Sequence, residues 1–445
     1  MRLVTMTSFA VLALLATSAL SAPTQESSSI KVPLPERKLF QRATGDVDAS
    51  SFMGHLNYTI QKYSGQALKS YNGGVADILK RQNAEEQLTD QVEQGEDELY
   101  YGPGTVGGQS GFTFDFDTGS SDTFVPGPNC GMAQGCSGNV HYQNTGQDEG
   151  NTTSVTYGSG MITGENYFDT VTVAGLTAKH QNVISLTQAQ GFSGSASNSL
   201  MGMGFQSIAS SGQPPYFKTL IDEGTVTNKE FSFYLGRAAS GTQGKSELTL
   251  GGRDKSKFTG TPTKIAVSTP GYWQIPLDGV KVNNFQDPID QLADKGQAAI
   301  DTGTTIILAP LAAAATIFAR IPGSVPIPLE LLNGALEPLL FAYPCAENPN
   351  VAITFGGKDF AINSKDFNFG RLTPDFAEFL GNNTLSDVLN SASYCLASIA
   401  AFDIRPQENL YVVGDAFLKN WYSIYSYDGA NGKPSVSFAK AVGNQ

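Results

Sequence analysis

The chain has 445 residues, of which only 16% are charged, and its formal net charge at pH 7 is −13. The 48 glycines and 22 prolines suit many strands joined by tight turns, and this length supplies enough apolar material for two hydrophobic cores. Nucleic-acid-binding proteins need a basic surface, so this acidic chain is expected to have no nucleic-acid partner.

The first residues are typical of an export signal. Arg2 precedes an apolar run from Phe9 to Leu20, and small residues follow. We expect cleavage after Ser21 or Ala22, which makes residues 1–21 a signal peptide and the protein secreted and extracellular. The run is shorter than the about 20 residues that span a membrane, and no later stretch qualifies, so we expect no membrane partner.

The charge of the chain reverses at Lys80-Arg81. Residues 1–81 contain 9 basic and 5 acidic residues, a net charge of +4, whereas the remainder contains 19 basic and 36 acidic residues, a net charge of −17. A dibasic pair in a polar run is accessible to proteases. We therefore predict that residues 22–81 are a propeptide removed by cleavage at this pair. The alternative is that both side chains are merely solvated.

The tripeptide Asp-Thr-Gly occurs twice, at Asp117 and at Asp301, each time after an apolar run. The first copy follows three phenylalanines at alternate positions, which is the period of a strand. Paired carboxylates cannot both ionise cheaply, so one serves as acid and the other as base, and water between them becomes the nucleophile. We predict that Asp117 and Asp301 are catalytic.

The residues around each aspartate suit a tight catalytic loop. Gly119 and Gly303 allow close backbone approach, and nearby hydroxyl groups can orient the carboxylates. Those hydroxyls belong to Thr118, Ser120, Thr302 and Thr304. The alternative is that both aspartates only form turns, which leaves the repeated flanking sequence unexplained.

From about Tyr100 onward these motifs resemble the pepsin-like aspartic peptidases, most closely their secreted fungal branch. The segment VTYGSGMITG resembles the family's flap hairpin, so Tyr157 and Gly158 are candidates to cover the substrate. Leu200–Gly202 and Val412–Gly414 resemble the strands that cross behind each catalytic loop.

The resemblance implies an all-β, bilobal fold with two pseudo-symmetric barrel-like lobes and a central cleft. It also implies a monomeric acid endopeptidase that cleaves peptide or protein substrates without a cofactor or metal. We expect an N-terminal lobe at residues 82–262 and a C-terminal lobe at 263–445. Apolar spacing predicts helices at Pro215–Glu223, Leu311–Arg320 and Asp415–Trp421. It predicts strands at Phe231–Gly236 and Glu247–Gly252.

The basic segment resembles the family's inhibitory propeptide, because KVPLPERKLF is similar to its start. A propeptide lysine contacts the paired aspartates in this family. Lys62, in the amphipathic stretch LNYTIQKYSG, is the candidate, although it could equally be a solvated charge on a helix. We therefore expect a zymogen whose own propeptide is its inhibitor.

Four cysteines in an exported chain favour two disulfides over a metal site. Four cysteines allow three pairings. The short, turn-rich spacing of Cys130 and Cys136 favours a local bridge, which leaves Cys345 with Cys395, and the family has the same two bridges. Zinc is the alternative, but only three histidines and no paired CxxC argue against it.

Three sequons are candidate glycosylation sites, at Asn57, Asn151 and Asn382. The chain also departs from the family, since the position usually held by a tryptophan near the flap is Phe124, whose ring has no hydrogen-bond donor. Two other functions remain as alternatives. A catalytically silent relative would lose an aspartate or its glycine, and a glycosidase would not need a duplicated loop around each carboxylate.

Overall fold

The computed structural model describes residues 29–34, 36–37, 45–66, 68, 99–136, 138–157, 160–189, 199–237, 240–242, 245–282, 295–331, 334, 339–380 and 393–444. The strands are β1 Ile30–Pro33, β2 Glu36–Arg37, β3 Leu99–Val106, β4 Gln109–Asp117, β5 Thr123–Pro126, β6 Gln147–Tyr157, β7 Gly160–Val173, β8 Leu176–Ala189, β9 Ser199–Gly202, β10 Glu230–Tyr234, β11 Glu247–Leu250, β12 Phe258–Ala266, β13 Thr269–Pro270, β14 Trp273–Leu277, β15 Gly279–Val282, β16 Gly296–Ile300, β17 Ile307–Ala309, β18 Val325–Pro328, β19 Leu339–Pro344, β20 Val351–Phe355, β21 Lys358–Ile362, β22 Asn368–Arg371, β23 Tyr394–Ala397, β24 Ile399–Ala401, β25 Leu410–Val413, β26 Trp421–Ala430 and β27 Lys433–Ala441. The helices are α1 Ala49–Ser64, α2 Tyr216–Asp222, α3 Leu311–Ala319, α4 Ser364–Phe367, α5 Pro374–Phe379 and α6 Asp415–Leu418.

The N-terminal half of the molecule is built on an eight-stranded sheet in the order β2-β3-β4-β9-β5-β8-β7-β6. Strand β3 also pairs with β7, so six of these strands close into a barrel. Closure satisfies the backbone groups that a sheet edge would leave open. The alternating phenylalanines Phe112, Phe114 and Phe116 of β4 are buried, as their spacing predicts.

The C-terminal half repeats the central connection of the first. Strand β4 runs parallel to β9, which is antiparallel to β5; likewise β16 runs parallel to β25, which is antiparallel to β17. A ten-stranded sheet contains this second motif, and strands β15, β20 and β21 form a smaller sheet beside it. The sequence repeat is therefore a repeat of topology, and the all-β, bilobal architecture is confirmed.

A six-stranded sheet in the order β1-β11-β10-β26-β27-β12 combines strands from distant parts of the chain. Its core is aromatic, with the Phe231 and Tyr425 rings stacked at 5.0 Å and Trp273 fully buried beside them. The Trp273 indole N–H donates to the carbonyl of Met203 at 2.8 Å. Trp273 is thus a core residue that also satisfies its polar group.

All three predicted helices are present as α2, α3 and α6, although α6 ends earlier than its pattern predicts. The Asn420 side chain donates to the carbonyl of Ala416 at 2.9 Å and so satisfies a free carbonyl at that end. Strand β26 then begins at Trp421. A polar cap and a following strand, rather than apolar spacing, decide where this helix stops.

Helix α1 lies in the segment predicted to be the propeptide. The Asp48 carboxylate accepts from the Ser51 N–H at 2.9 Å and caps its start, and Gly65, at φ +70°, ends it in the left-handed conformation. Its apolar face, including Leu56 and Ile60, is buried in a hydrophobic cluster of the C-terminal half. Each such side chain contributes about 1.5–3 kcal/mol of burial free energy.

The structure contains two disulfides, in the two pairs expected. Cys130 and Cys136 close a short loop after β5, with their Cα atoms 5.5 Å apart. Cys345 follows β19 and bonds to Cys395 on the neighbouring strand β23, with a Cα separation of 5.0 Å.

Candidate active site

The two Asp-Thr-Gly loops meet where the halves of the molecule face each other. Asp117 is the last residue of β4 and Asp301 directly follows β16. Each loop is tied to its crossing strand, because the Met203 N–H donates to the carbonyl of Asp117 at 2.8 Å and the Asp301 N–H donates to the carbonyl of Val413 at 3.0 Å. Both aspartates are fully buried.

The crossing strands require glycine where they pass behind the loops. A Cβ at Gly202 would lie 2.4 Å from the backbone of Ser121, and one at Gly414 would lie 1.9 Å from the Thr304 carbonyl oxygen. No side chain fits at such separations. The hydrophobic-hydrophobic-Gly elements found in the sequence therefore have the packing role that the family resemblance implies.

Two threonines fasten the loops to each other. The Thr118 N–H donates to Thr302 Oγ1 at 3.1 Å, and the Thr302 N–H donates to Thr118 Oγ1 at 3.0 Å. Thr118 Oγ1 then donates to the carbonyl of Ile300 at 2.8 Å, and Thr302 Oγ1 to that of Phe116 at 2.6 Å. These hydroxyls therefore do not orient the carboxylates as the sequence interpretation expected; they hold the two loops in register.

Each carboxylate receives the same pair of donors from its own loop, one backbone N–H and one hydroxyl. For Asp117 these are Gly119 N at 2.8 Å and Ser120 Oγ at 2.5 Å. For Asp301 they are Gly303 N at 2.9 Å and Thr304 Oγ1 at 2.5 Å. The pair is thus pre-oriented by two equivalent sets of hydrogen bonds.

The ammonium of Lys62 sits between the two carboxylates. Its Nζ lies 2.8 and 3.0 Å from the oxygens of Asp117 and 3.3 and 3.0 Å from those of Asp301. The Lys62 side chain is only 3% exposed. The neighbouring Tyr63 hydroxyl donates to Asp301 Oδ2 at 2.9 Å, and the Tyr63 ring packs on the ring of Tyr272 with centroids 4.9 Å apart.

The two carboxyl groups have opposite pKa shifts. Burial raises the pKa of Asp117 to about 6, against the opposing effect of Lys62. Burial acts in the same direction on Asp301, but Lys62 and the local hydrogen-bond donors hold the pKa of that carboxyl below its usual range. Burial also opposes the charge on Lys62, yet the two carboxylates raise its pKa. One proton is therefore retained more readily on Asp117 while Asp301 stays ionised.

Sequence reasoning missed a third carboxyl group, that of Asp115. Burial and then the charge of Asp117 raise its pKa well above the ordinary value. Its Oδ1 has no hydrogen-bond donor among the residues that the structure describes. The strand period could have revealed it, because residues two apart on β4 lie on the same face.

The hairpin predicted to be the flap consists of β6 and β7, and Tyr157 pairs with Gly160 at its end. Gly158 and the Tyr157 side chain lie outside the described part of the chain. Phe124 is 3% exposed and belongs to an apolar cluster with Ile162 of β7, against which Val155 of β6 also packs. At this position the hairpin is thus in contact with an apolar cluster rather than with an indole donor.

The other predicted site residues are spread over the chain. Asn57 is 2% exposed, and its side-chain oxygen accepts from Gln61 and from the Leu68 N–H, both at 2.8 Å, whereas Asn151 is exposed on β6. Residues 1–21, Lys80, Arg81 and Asn382 lie outside the described residues. Within the described ranges, no group of three His, Cys, Asp or Glu residues could hold a metal ion, and no helix is long and apolar enough to cross a membrane.

Residues 99–441 match the family model of eukaryotic aspartyl proteases. Similar proteins include an aspartic protease of Phaffia rhodozyma, 33% identical over 425 residues that cover 90% of this chain and 95% of the relative. Pepsin-2B of Gadus morhua is 31% identical over 365 residues, which cover 80% of this chain and 100% of the relative. Cathepsin E of Rattus norvegicus is 29% identical over 385 residues, which cover 84% of this chain and 88% of the relative. With both Asp-Thr-Gly loops brought together in the cleft, the chain belongs to the eukaryotic aspartyl protease family and is an aspartic endopeptidase.

Proposed function

We propose that this protein is the precursor of an acid endopeptidase in which Asp117 and Asp301 activate a water molecule. Residues 22–81 block the cleft until acid releases them. The observation that carries this proposal is the position of Lys62, whose single ammonium contacts both carboxylates of two equivalent loops. A cation held there neutralises the pair and excludes substrate at the same time.

The chemistry follows from the two protonation states. With Lys62 withdrawn, its place within hydrogen-bond distance of both carboxylates is of a size that suits a water molecule. Ionised Asp301 removes a proton from this water as its oxygen attacks the peptide carbonyl carbon. Protonated Asp117 gives its proton to the carbonyl oxygen. When the C–N bond breaks, a proton passes to the leaving amine, and one carboxyl keeps a proton for the next cycle.

The remaining parts of the proposal concern the organisation of the chain. Residues 1–21 are the signal peptide, 22–81 the propeptide, 82–262 the N-terminal lobe and 263–445 the C-terminal lobe. Burial of the apolar face of α1 and pairing of β1 with β11 support an inhibitory propeptide. Two ion pairs add to this support, because Lys31 contacts the carboxylate of Asp254 and Asp46 contacts the guanidinium of Arg371.

The substrate is an extended peptide held across the cleft beneath the flap. Tyr63 places an aromatic ring on Tyr272 and its hydroxyl on Asp301, so the cleft has room for an aromatic side chain beside the reacting carboxylates. We propose that apolar or aromatic side chains flank the bond that is cut. Cleavage of a peptide mixture across pH, followed by sequencing of the products, tests this preference.

Substitution of each catalytic candidate tests the chemistry. Asp117→Asn and Asp301→Asn keep size and shape but remove the acid-base pair, so turnover should fall by at least about 100-fold with little change in folding. Asp359→Asn is the matched control, since this carboxylate lies on β21 and pairs with Lys281 at the surface. Full activity of either active-site variant would contradict the assignment.

A processing-blocked precursor tests the zymogen. With Lys80 and Arg81 both changed to alanine, the purified precursor should be silent at neutral pH and gain activity on acidification. A precursor that is fully active before acidification would rule out an inhibitory propeptide.

We also propose export, a monomeric state and glycosylation at exposed Asn151. The measurements are recovery of the protein from culture medium, its sedimentation, and the loss of a glycan mass in an Asn151→Gln variant. Retention of the whole pool inside the cell would contradict export.

A further inference from the structure

His55 connects the cleft helix to the second catalytic loop. It lies on α1 seven residues before Lys62, and therefore on about the same face of the helix. The Thr305 N–H donates to its Nε2 at 3.2 Å. Thr305 directly follows Thr304, whose hydroxyl donates to Asp301 Oδ2 at 2.5 Å. The imidazole is thus in contact with the loop that holds a catalytic carboxylate.

This contact exists only for the neutral imidazole. A backbone N–H can donate to Nε2 only when that nitrogen carries no proton, so the ring hydrogen is on Nδ1. The imidazolium has two N–H donors and no acceptor. Protonation would turn the contact with Thr305 into two opposed N–H groups.

The charges around His55 act in opposite directions on an imidazolium. Lys62 on the same helix disfavours it, and Asp301 on the facing loop favours it. Burial, partly offset by Asp301 and reinforced by Lys62, lowers the pKa of His55 to about 4. Helix α1 also packs against α5 and β6. The carboxylates on these two elements are Asp375, Glu378, Asp148 and Glu149, and they do not contribute to this shift.

We propose that His55 is an acid sensor of the cleft helix: its protonation breaks the contact with Thr305 and favours release of α1 from the catalytic loops. The inference rests on the proposed zymogen function and adds to it a titratable group on the helix itself. It differs from Lys62 and Asp301, which hold the helix but keep their charges in the relevant range.

The direction of the response follows from proton linkage. Once released, the imidazole regains its ordinary pKa of 6.5, whereas in the docked helix its pKa is about 4. Between these values the released state binds more protons, so docking weakens as pH falls. The 2.5-unit difference between those two pKa values corresponds to about 300-fold in the docking equilibrium, reached below pH 4.

Other contacts between the predicted propeptide and the rest of the molecule change charge at different pH values. The pKa of Lys62 is raised and that of Asp301 lies below its usual range, so both stay charged between pH 6.5 and 4. Burial raises the pKa of Asp254, but its contact with Lys31 lowers the pKa to about 2. This ion pair therefore weakens only in stronger acid. Asp117, whose pKa burial raises to about 6, also takes up a proton in this range, which weakens its attraction to Lys62. Of the α1 side chains that contact the catalytic loops, Lys62 and Tyr63 keep their protons, whereas His55 gains one on release between pH 6.5 and 4.

The experiment uses the full-length precursor with Lys80 and Arg81 changed to alanine. His55→Gln keeps a hydrogen-bond acceptor but does not titrate. His180→Gln is the matched control, because the chain has only three histidines and His180 is exposed and stacked on Phe168. The initial rate of cleavage of a fluorogenic peptide, measured immediately after transfer to each pH, reports the fraction of open precursor.

We expect the activation midpoint of His55→Gln to lie at lower pH than that of the parent, with up to about one proton fewer in its pH dependence. The His180→Gln precursor should match the parent. A His55→Gln midpoint equal to or higher than that of the parent would overturn the proposal. A parent that is already active at neutral pH would instead contradict the zymogen function, so the two failures are distinguishable.

A second measurement needs no variant. The ring resonances of the three histidines in the parent precursor are followed by NMR from pH 8 to pH 5.5. His55 should remain neutral throughout, whereas titration of its ring near pH 6.5 would overturn the proposal even if the Gln variant failed to fold.

Discussion

Replacing Lys62 with methionine removes the cation between the catalytic carboxylates and keeps a side chain of similar length. Lys62 has four carboxylate contacts of 2.8–3.3 Å and is 3% exposed, so water does not replace it easily. Removal of one partner from a buried charged set typically costs about 3–5 kcal/mol. The lower end applies here, because the carboxyl pair can take up a proton instead.

The pKa of Asp117 shows how the carboxyl pair compensates for the loss of the ammonium. Burial already raises the pKa of Asp117 to about 6 while Lys62 opposes the shift, so without the ammonium this carboxyl holds its proton to still higher pH. The docked helix of the variant is left with one neutral and one ionised carboxyl. A loss of about 3 kcal/mol corresponds to about a 150-fold weaker docking equilibrium.

The assay compares processing-blocked precursors that carry Lys62→Met or Lys218→Met. Lys218 forms an exposed i,i+4 pair with Asp222 and is the control for loss of one positive charge. Peptide cleavage is measured from pH 7 downward. We expect the Lys62 variant to become active at higher pH than the parent. If its activity equals that of the parent at every pH, the four contacts contribute nothing to docking, which would contradict this prediction.

Three further predictions concern the catalytic domain. Gly414→Ala would place a Cβ 1.9 Å from the Thr304 carbonyl oxygen, so it should lower the free energy of unfolding by about 3 kcal/mol or more, and urea unfolding within 0.5 kcal/mol of the parent would contradict this. Changing Cys345 and Cys395 to serine opens a bridge with a sequence separation of 50, and denaturant unfolding should show a loss of about 4 kcal/mol. Burial raises the pKa of Asp117 to about 6 even while Lys62 opposes the shift, so the mature enzyme, which lacks Lys62, should keep the shared proton to a pH above that value, and its kcat/KM should then fall about tenfold per pH unit once the proton is lost. A rate that stays constant up to pH 8 would contradict the last expectation.

The catalytic loops could be predicted from sequence because their information is local. An alternating run of phenylalanines predicts a strand, and the carboxylate at its end must then lie at a sheet terminus. The crossing strands also carry a local pattern, and the glycine in each has a steric cause at Gly202 and Gly414. Because both patterns occur twice in the chain, the sequence predicts two catalytic loops that face each other.

The contacts between the halves could not be predicted in the same way. Thr118 and Thr302 are 184 residues apart, and nothing in either tripeptide indicates that their side chains bind the opposite backbone rather than the carboxylate. Tyr63 and Asp301 are 238 residues apart. Such pairs are determined by how two sheets face each other, and apolar periodicity contains no information on that.

The two catalytic loops are equivalent in their own hydrogen bonds, yet their carboxyl groups have opposite pKa shifts. Each receives one backbone N–H and one hydroxyl from its loop, so these donors cannot cause the difference. Lys62 contacts both, but the Tyr63 hydroxyl donates to Asp301 alone and gives that carboxylate one more donor. The pair itself adds to the difference, because the charge of Asp301 and the hydrogen bond between the two carboxyls raise the pKa of Asp117, and the same hydrogen bond lowers the pKa of Asp301. When α1 leaves, Lys62 and Tyr63 leave together, and the equivalent donors of the two loops and the hydrogen bond between the carboxyls remain. The helix therefore sharpens a preference that the pair already has, and in the open enzyme Asp117 keeps the proton as the acid while Asp301 acts as the base.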